Sequence, residues 1–361
     1  MNHRLACSMA RSILKRIDTC RLDLNGLVVA TECANGAYAS TAAAAIVAGA
    51  SLVWAVARSS HWASREESAT DVLDLVAALG GDPGRLRIVD QKKAILWSEV
   101  DVVTNSGHLR PLDSHVLDLM GPTSVIALMF EAWELRAADI DLTAASQNDI
   151  PIFGVNEHHA ACGSFEYVGS LATGEAIRQG WSIDGARILI ISDNSFEGPV
   201  CRAFRALGAH VETLDPTISS SCHATGESLV EGGFDLAVIA STPAAVVKPD
   251  RGAVATPADL ADLVALSGCY GCVQVWGDVE RARAEAEGVV FAPQHPPEPG
   301  HQAIAMNAVG YEPTVRLQVG GLAAGAHGLR RTRGTEIPPG LEDLVQEVEI
   351  GSLSLSGMRS A

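Results

Sequence analysis

The tetrapeptide Asn156-Glu157-His158-His159 gathers an amide, a carboxylate and two imidazoles at one point of the chain. Histidine exchanges a proton near neutral pH, and a neighbouring carboxylate fixes its tautomer or raises its proton affinity, so the stretch suits general acid–base work. Adjacent side chains point different ways on a regular element, and His158 and His159 are not both expected to act. Capping or plain hydrogen bonding is the bland alternative. A metal reading lacks a second ligand cluster, and none is expected.

A second grouping is Phe130-Glu-Ala-Trp-Glu-Leu-Arg136. Glu131 and Glu134 fall near the expected start of a helix, where negative charge is favoured, and Arg136 suits either an ion pair with one of them or a substrate carboxylate. Helix capping and a place in a substrate cleft both remain open. Gly36-Ala-Tyr-Ala-Ser-Thr41 offers small residues ahead of an expected helix whose free amides could receive an anion, with Tyr38 as a donor or as an ordinary packing ring. Arg58, followed by Ser59-Ser-His61, supplies a positive charge among many acids.

These groups are far apart in sequence but share one kind of place. Buried strands are expected at Leu27–Thr31, Leu52–Ala57, Arg87–Val89, Val100–Thr104, Ser124–Met129 and Pro151–Val155, separated by helical stretches at 41–48, 68–79, 112–120 and 132–148. Short β-branched runs alternating with helical patterns predict a parallel sheet covered on both faces, with ligands at the carboxyl ends of its strands. Glu32 and Asn35 follow the first strand, Arg58 the second, Asn105 and His108 the fourth, Glu131 and Glu134 the fifth, and Asn156 and Glu157 the sixth. They should converge on one edge.

The second half repeats the pattern, with strands at 187–191, 210–214, 234–239, 273–276 and 289–291 and helices at 198–207, 224–231, 257–266 and 279–286. The fold class is therefore α/β, with two doubly wound parallel-sheet, Rossmann-like domains separated by a cleft. The expected divisions are 1–162 for the substrate domain, 163–180 for a connecting helix, 181–295 for the nucleotide-binding domain, 296–330 for a return segment and 331–361 for a tail, disordered from about 350.

The loop after the strand at 187–191 has the setting of a dinucleotide site but few of its glycines. Ser192 and Asn194 stand where the first two glycines of the fingerprint belong, and Gly198 is the one plausible survivor. Asp215 lies about 20 residues beyond the loop, where an acid can hold ribose hydroxyls. Asp193 and Glu197 add negative charge near a helix start that would attract phosphate. Ser241 and Thr242, at a later strand exit, suit a cofactor lining. His295 and His301 follow the last clear strand, as catalytic candidates or as surface-loop residues.

Composition bounds the rest. A chain of 361 residues with 47% hydrophobic content is long enough for two cores. The formal net charge of -17, with scattered basic residues, argues against nucleic acid as a partner. The apolar run 42–57 is broken at Gly49 and too short for a membrane span, and the N-terminus lacks a signal-peptide core, so a cytoplasmic protein is expected. The eight cysteines make no disulfide scaffold. Cys269 and Cys272 have redox or metal spacing, yet Cys272 begins a strand-like run, and packing thiols are the simpler reading.

With these features in view, the chain resembles the two-domain superfamily of D-2-hydroxyacid dehydrogenases, formate dehydrogenases of the same fold and adenosylhomocysteinases. The resemblance spans roughly 27–325 and rests on Arg187–Pro199 with Asp215, Ser241-Thr-Pro243 and Ala292-Pro-Gln-His295. It implies NAD or NADP as cofactor, Asp215 at the ribose, His295 as the catalytic histidine and a homodimer. Trp276 stands where a substrate-binding arginine would be expected. The leading expectation is a nicotinamide-dependent oxidoreductase acting on a small anionic metabolite, with Arg58, Glu131, His158 or His295 facing the substrate. The alternatives are a non-redox transferase, lyase or hydrolase centred on Glu131/Glu134 and Asn156–His159, and a non-catalytic binding protein.

Overall fold

The computed structural model describes residues 1–217, 233–243, 246, 255–296 and 306–350. The expected helix at 224–231, His301, Cys222 and the tail beyond 350 lie outside the described residues. The chain divides into two compact units, Met1–Ser164 with Tyr311–Ala361, and Phe165–Gly310.

The first unit is built on β1 (Val28–Glu32), β2 (Leu52–Val56), β3 (Leu86–Val89), β4 (Val102–Thr104), β5 (Val125–Ala127), β6 (Ile152–Val155) and β12 (Val345–Glu347). They form a seven-stranded sheet in the order β12-β6-β5-β4-β1-β2-β3. The first six run parallel, and β12 alone pairs antiparallel, against β6. The expected parallel sheet is thus present, and β12, from the segment read as a tail, adds to its edge antiparallel. Its residues are few and partly charged, as suits a short edge strand. The chain runs outward through β1, β2 and β3, then returns past β1 to β4. That reversal between β1 and β4 is where doubly wound sheets bind ligands.

Helices α1 (His3–Thr19), α2 (Ser40–Val47), α3 (Arg65–Ala78), α4 (Ser114–Leu117) and α5 (Leu142–Gln147) belong to this unit. In α1, Ala6, Met9, Ala10 and Ile13 recur at helical spacing and are buried. Ser64 and Glu67 form a reciprocal capping box that starts α3. The helix expected over 132–148 does not form as one piece. A short 3-10 turn occupies Ala132–Glu134, and α5 begins only after Asp141, whose carboxylate accepts from the Ala144 amide. Between them Ile140 forms a parallel bridge with Leu112, an extended pairing that a residue inside a continuous helix could not make.

A 21-residue helix, Glu312–Thr332, returns to this unit and is buried from Pro313 to Leu329 except at Arg316. Gly321 and Gly325 let it lie close on the sheet, since a Cβ at these positions would stand 2.8 Å from Met129 Sδ and from Ala127 Cβ. Gln318 accepts from Thr41 Oγ1 at 2.7 Å, tying this helix to α2.

The second unit contains α6 (Glu166–Arg178), β7 (Arg187–Ile191), α7 (Glu197–Ala206), β8 (His210–Leu214), β9 (Leu236–Ala240), α8 (Pro257–Leu266), β10 (Gly271–Trp276), α9 (Arg281–Ala286) and β11 (Val290–Ala292). The helix returning to the first unit is α10. The five strands are parallel in the order β11-β10-β9-β7-β8, with the reversal between β7 and β9. Leu189, Ile191, Ile239, Leu260, Val264 and Phe291 fill one side of this sheet. Cys269 and Cys272 pack in the same cluster, and burial pushes both thiols up, away from the reactive thiolate. Among the described residues no helix is long and apolar enough to cross a membrane.

Candidate functional site

In the first unit the strand exits meet as their common direction requires. The His108 amide donates to Glu32 Oε2 at 3.3 Å, joining the exits of β4 and β1. The Arg58 amide reaches His108 Nδ1 at 3.3 Å, and the same nitrogen lies 3.1 Å from the Val56 carbonyl, which brings in β2. Glu32 is buried, and burial raises its carboxyl above the ordinary range despite nearby His108 and Arg110.

Asn105 is fully buried, and its carbonyl accepts from Arg110 Nε and Nη2 at 3.2 and 2.8 Å. Asn105 Oδ1 also accepts from Arg110 Nε at 3.2 Å. Arg136 donates to Asp139 through Nε and Nη2 at 2.9 and 2.6 Å, and Arg110 Nε stands 3.4 Å from the same carboxylate. Both guanidiniums lie 5.6 Å from the centre of the Phe130 ring. Arg136 forms its ion pair with Asp139, a residue that the sequence pattern did not single out.

The exits of β5 and β6 carry three carboxyls. Glu131 Oε1 accepts from the Glu157 amide at 2.9 Å, and Glu131 Oε2 from Trp133 Nε1. Glu131 and Glu134 form a reciprocal capping box around the 3-10 turn, while Ser164 Oγ donates to Glu157 Oε2 at 2.5 Å. Burial, and then the Glu131 charge, push Glu134 up to about 8. Glu157 is raised further by burial and then by Glu134, and Glu131 is raised by burial against its Trp133 bond. Capping and a place in the cluster are thus both met by the same side chains. Burial thus favours the proton-bearing form of these carboxyls, which suits them to proton transfer.

The remaining first-unit candidates divide. His158 is exposed, its amide donating to Asn156 Oδ1 at 3.0 Å, and its ring is within electrostatic reach of Glu131. Asn156 Nδ2 donates to the Asp343 carbonyl and His159 Nε2 faces that of Gly340, so both tie the C-terminal segment to β6. Asn35 stands ahead of the 3-10 turn Gly36–Ala39 without a side-chain cap bond. On that turn the Tyr38 hydroxyl is buried without a hydrogen-bond partner among the described residues.

In the second unit Ser192, Asn194, Ser241 and Thr242 meet at the reversal between β7 and β9. Ser192 Oγ and Asn194 Nδ2 donate to the Ala240 carbonyl at 3.0 and 2.8 Å, and Ser241 Oγ donates to that of Ile191. Buried Asp193 accepts from the Thr242 amide and hydroxyl at 2.7 and 2.9 Å. The loop therefore closes through side chains rather than glycines, and no residue from 192 to 199 has positive φ.

Its fit to a dinucleotide is partial. A Cβ at Gly198 would meet only Arg202 Nη1, at 3.3 Å, so little else crowds the opening turn of α7 at this position. Asp215, just past β8, keeps an Asx turn with Thr217 through Oδ1. Asp193 and Glu197 oppose an anion there. We expect Asp193→Asn, which keeps the acceptor for Thr242, to tighten NADH binding about two- to fivefold by fluorescence titration; unchanged affinity would remove Asp193 from the site.

His295 is exposed just beyond β11 and makes no hydrogen bond or ion pair with the described residues. Trp276 is buried against Phe196. Among the described residues no group of three histidine, cysteine or acidic side chains could hold a metal ion. Sequence reasoning missed Arg110 and Asp139. Arg110 had a signal, since it lies in the same exit loop as Asn105 and His108.

No protein-family model matches the chain, and no curated protein matches its sequence. Solved structures match in fold. The dipicolinate synthase of Bacillus subtilis aligns at 13% identity over 86% of this chain and 99% of that one, with a TM-score of 0.53. The dipicolinate synthase of Bacillus halodurans aligns at 12% over 82% and 96%, with a TM-score of 0.51. NAD-bound 3-phosphoglycerate dehydrogenase from Entamoeba histolytica aligns at 13% over 86% and 97%, with a TM-score of 0.46. The chain shares with the two dipicolinate synthase structures a two-unit, Rossmann-like α/β fold.

Proposed function

We propose that the protein is a nicotinamide-dependent oxidoreductase acting on a small anionic metabolite. The observation that carries the reading is the convergence of Glu32, His108, Arg110, Glu131 and Glu157 from separate strands on the carboxyl edge of one sheet. The second unit offers the β7–α7 turn with Gly198 for a diphosphate and Asp215 for ribose hydroxyls. An acid at that point repels a 2′-phosphate and favours NADH over NADPH.

When bound, the nicotinamide supplies a hydride to the substrate's carbonyl carbon. The chain supplies the accompanying proton to the carbonyl oxygen, and the raised Glu134 and Glu157 carboxyls are its proposed source. His158, exposed and within electrostatic reach of Glu131, is the proposed route for reprotonation from solvent.

One observation favours the non-redox alternative, a transferase, lyase or hydrolase using the same carboxyls. The polar side chains of the β7–α7 turn are spent on Ala240 and Thr242. Titration with NADH and NADPH, followed by nicotinamide fluorescence, decides between them. Saturable NADH binding tighter than about 1 mM, weakened about tenfold by Asp215→Ala, supports oxidoreduction. Binding of neither dinucleotide transfers the case to the alternative.

A further inference from the structure

The reversal point of the first sheet holds two groups whose hydrogen-bonding capacity is not used up by the described residues. Arg110 commits Nε and Nη2 to Asn105, and its Nη1 donates to none of the described residues. Its side chain is 23% exposed, enough for a small molecule to reach it. The Tyr38 hydroxyl is buried, has no partner among the described residues, and lies within electrostatic reach of Arg110, Glu32 and Glu157.

A buried hydroxyl without a partner costs stability in the ligand-free protein, so retaining one calls for a compensating role. A guanidinium held in place by a backbone carbonyl, with a free Nη1 edge, is preorganised for a carboxylate oxygen. Asp139 does not remove this capacity, because its shorter bonds go to Arg136. Both guanidiniums lie 5.6 Å from the Phe130 ring centre, a favourable cation–π distance. Arg58, the cation singled out from sequence, presents its backbone amide to His108 and has an exposed side chain.

We infer that Arg110 and Tyr38 form the seat for the carboxylate of a small organic acid, Arg110 Nη1 donating to one oxygen and the Tyr38 hydroxyl to the other. This deepens the oxidoreductase reading by naming its substrate class and the residues that select it, and rests on that reading for the chemistry that follows binding.

The test is isothermal titration of the full chain with oxalate, succinate and 2-oxoglutarate, beside thermal melts. At least one acid should bind saturably, with affinity falling at least about tenfold in Arg110→Gln and about threefold or more in Tyr38→Phe. The exposed cation variant Lys93→Gln should bind as the unsubstituted protein does. Tyr38→Phe should melt no lower than the unsubstituted protein, because it discards an unpaired hydroxyl; a merely structural tyrosine would lower the melt and leave affinity unchanged. Failure of all three acids to bind, or equal binding by Arg110→Gln, overturns the inference. NADH titration of the same samples separates the two claims. Arg110-dependent acid binding without NADH binding keeps the seat and ends the oxidoreductase reading, whereas NADH binding with Arg110-independent acid binding does the reverse.

Discussion

At pH 8 the Glu134→Gln variant is expected to melt about 5 °C above the unsubstituted protein, and at pH 5 the two should melt nearly together. Glu134 holds its proton up to about 8 in the folded protein, against an ordinary value of 4.5. Its contribution to stability is fully present below the ordinary value, where folded and unfolded chains are both protonated. As pH rises from there toward 8 the unfolded chain loses the proton first, and folding is progressively penalised. A shift of this size corresponds at face value to about 5 kcal/mol. Glu134 keeps some solvent contact and shares its proton affinity with Glu157, so about 2 kcal/mol is the fairer expectation. Glutamine keeps the acceptor for the Glu131 amide and cannot ionise. Scanning calorimetry at the two pH values reads the difference directly. A variant that melts lower at pH 8 would mean that Glu134 is an ordinary ionised cap and no proton reservoir.

Gly154→Ala should destabilise the protein by about 3 kcal/mol and loosen the carboxyl cluster at the same time. A Cβ on residue 154 would stand 2.5 Å from the Ala132 amide nitrogen and 3.0 Å from the Ala132 Cα and the Glu131 carbonyl carbon. These are backbone atoms, which cannot swing away as a side-chain tip can. β6 is held by β5 on one side and β12 on the other, so the turn carrying Glu131–Glu134 must move. That movement breaks the bond from the Glu157 amide to Glu131 and the one from the Ala132 amide to Gln346 Oε1, 2.8 Å in length. Urea unfolding should show a lower midpoint at unchanged slope, and the pH dependence attributed to Glu134 should shrink. A loss under about 1 kcal/mol would show that the turn is not fixed by β6.

Both predictions concern contacts that the sequence displays only in part. The parallel strands were legible to within about two residues at each end, because buried strands such as Val28–Glu32 and Arg187–Ile191 read as short, largely apolar runs rich in Val and Ile. α10 was harder to bound. It is buried on nearly all sides and studded with glycines, so it lacks the one-sided apolar stripe that marks a surface helix. The failed helix over 132–148 carried a misleading apolar pattern, since Leu135 and Ile140 are buried by tertiary contacts from an irregular segment.

At the site, the residues immediately beyond a strand were legible because direction alone places them. Glu32, Asn105, Glu131 and Glu157 are buried side by side at one edge. Which of them turns inward was not legible. Glu157 is buried while His158, one residue on, is exposed, a consequence of local turn geometry. Arg110 comes back to Asn105 through the turn Gly107–Leu109, and Asp139 arrives from a segment read as helix. Their pairing required the fold.

The central claim of the proposal is reduction of a small oxo acid by NADH, and deuterium transfer measures it most directly. The full chain would be incubated with NADH dideuterated at the hydride-donating carbon and a pool of small 2-oxo acids, and the products read by mass spectrometry. The account predicts deuterium on the carbinol carbon of a hydroxy acid and loss of that signal in Arg110→Gln. A protein that binds NADH yet passes deuterium to no acid in the pool, or passes it equally well without Arg110, would contradict it.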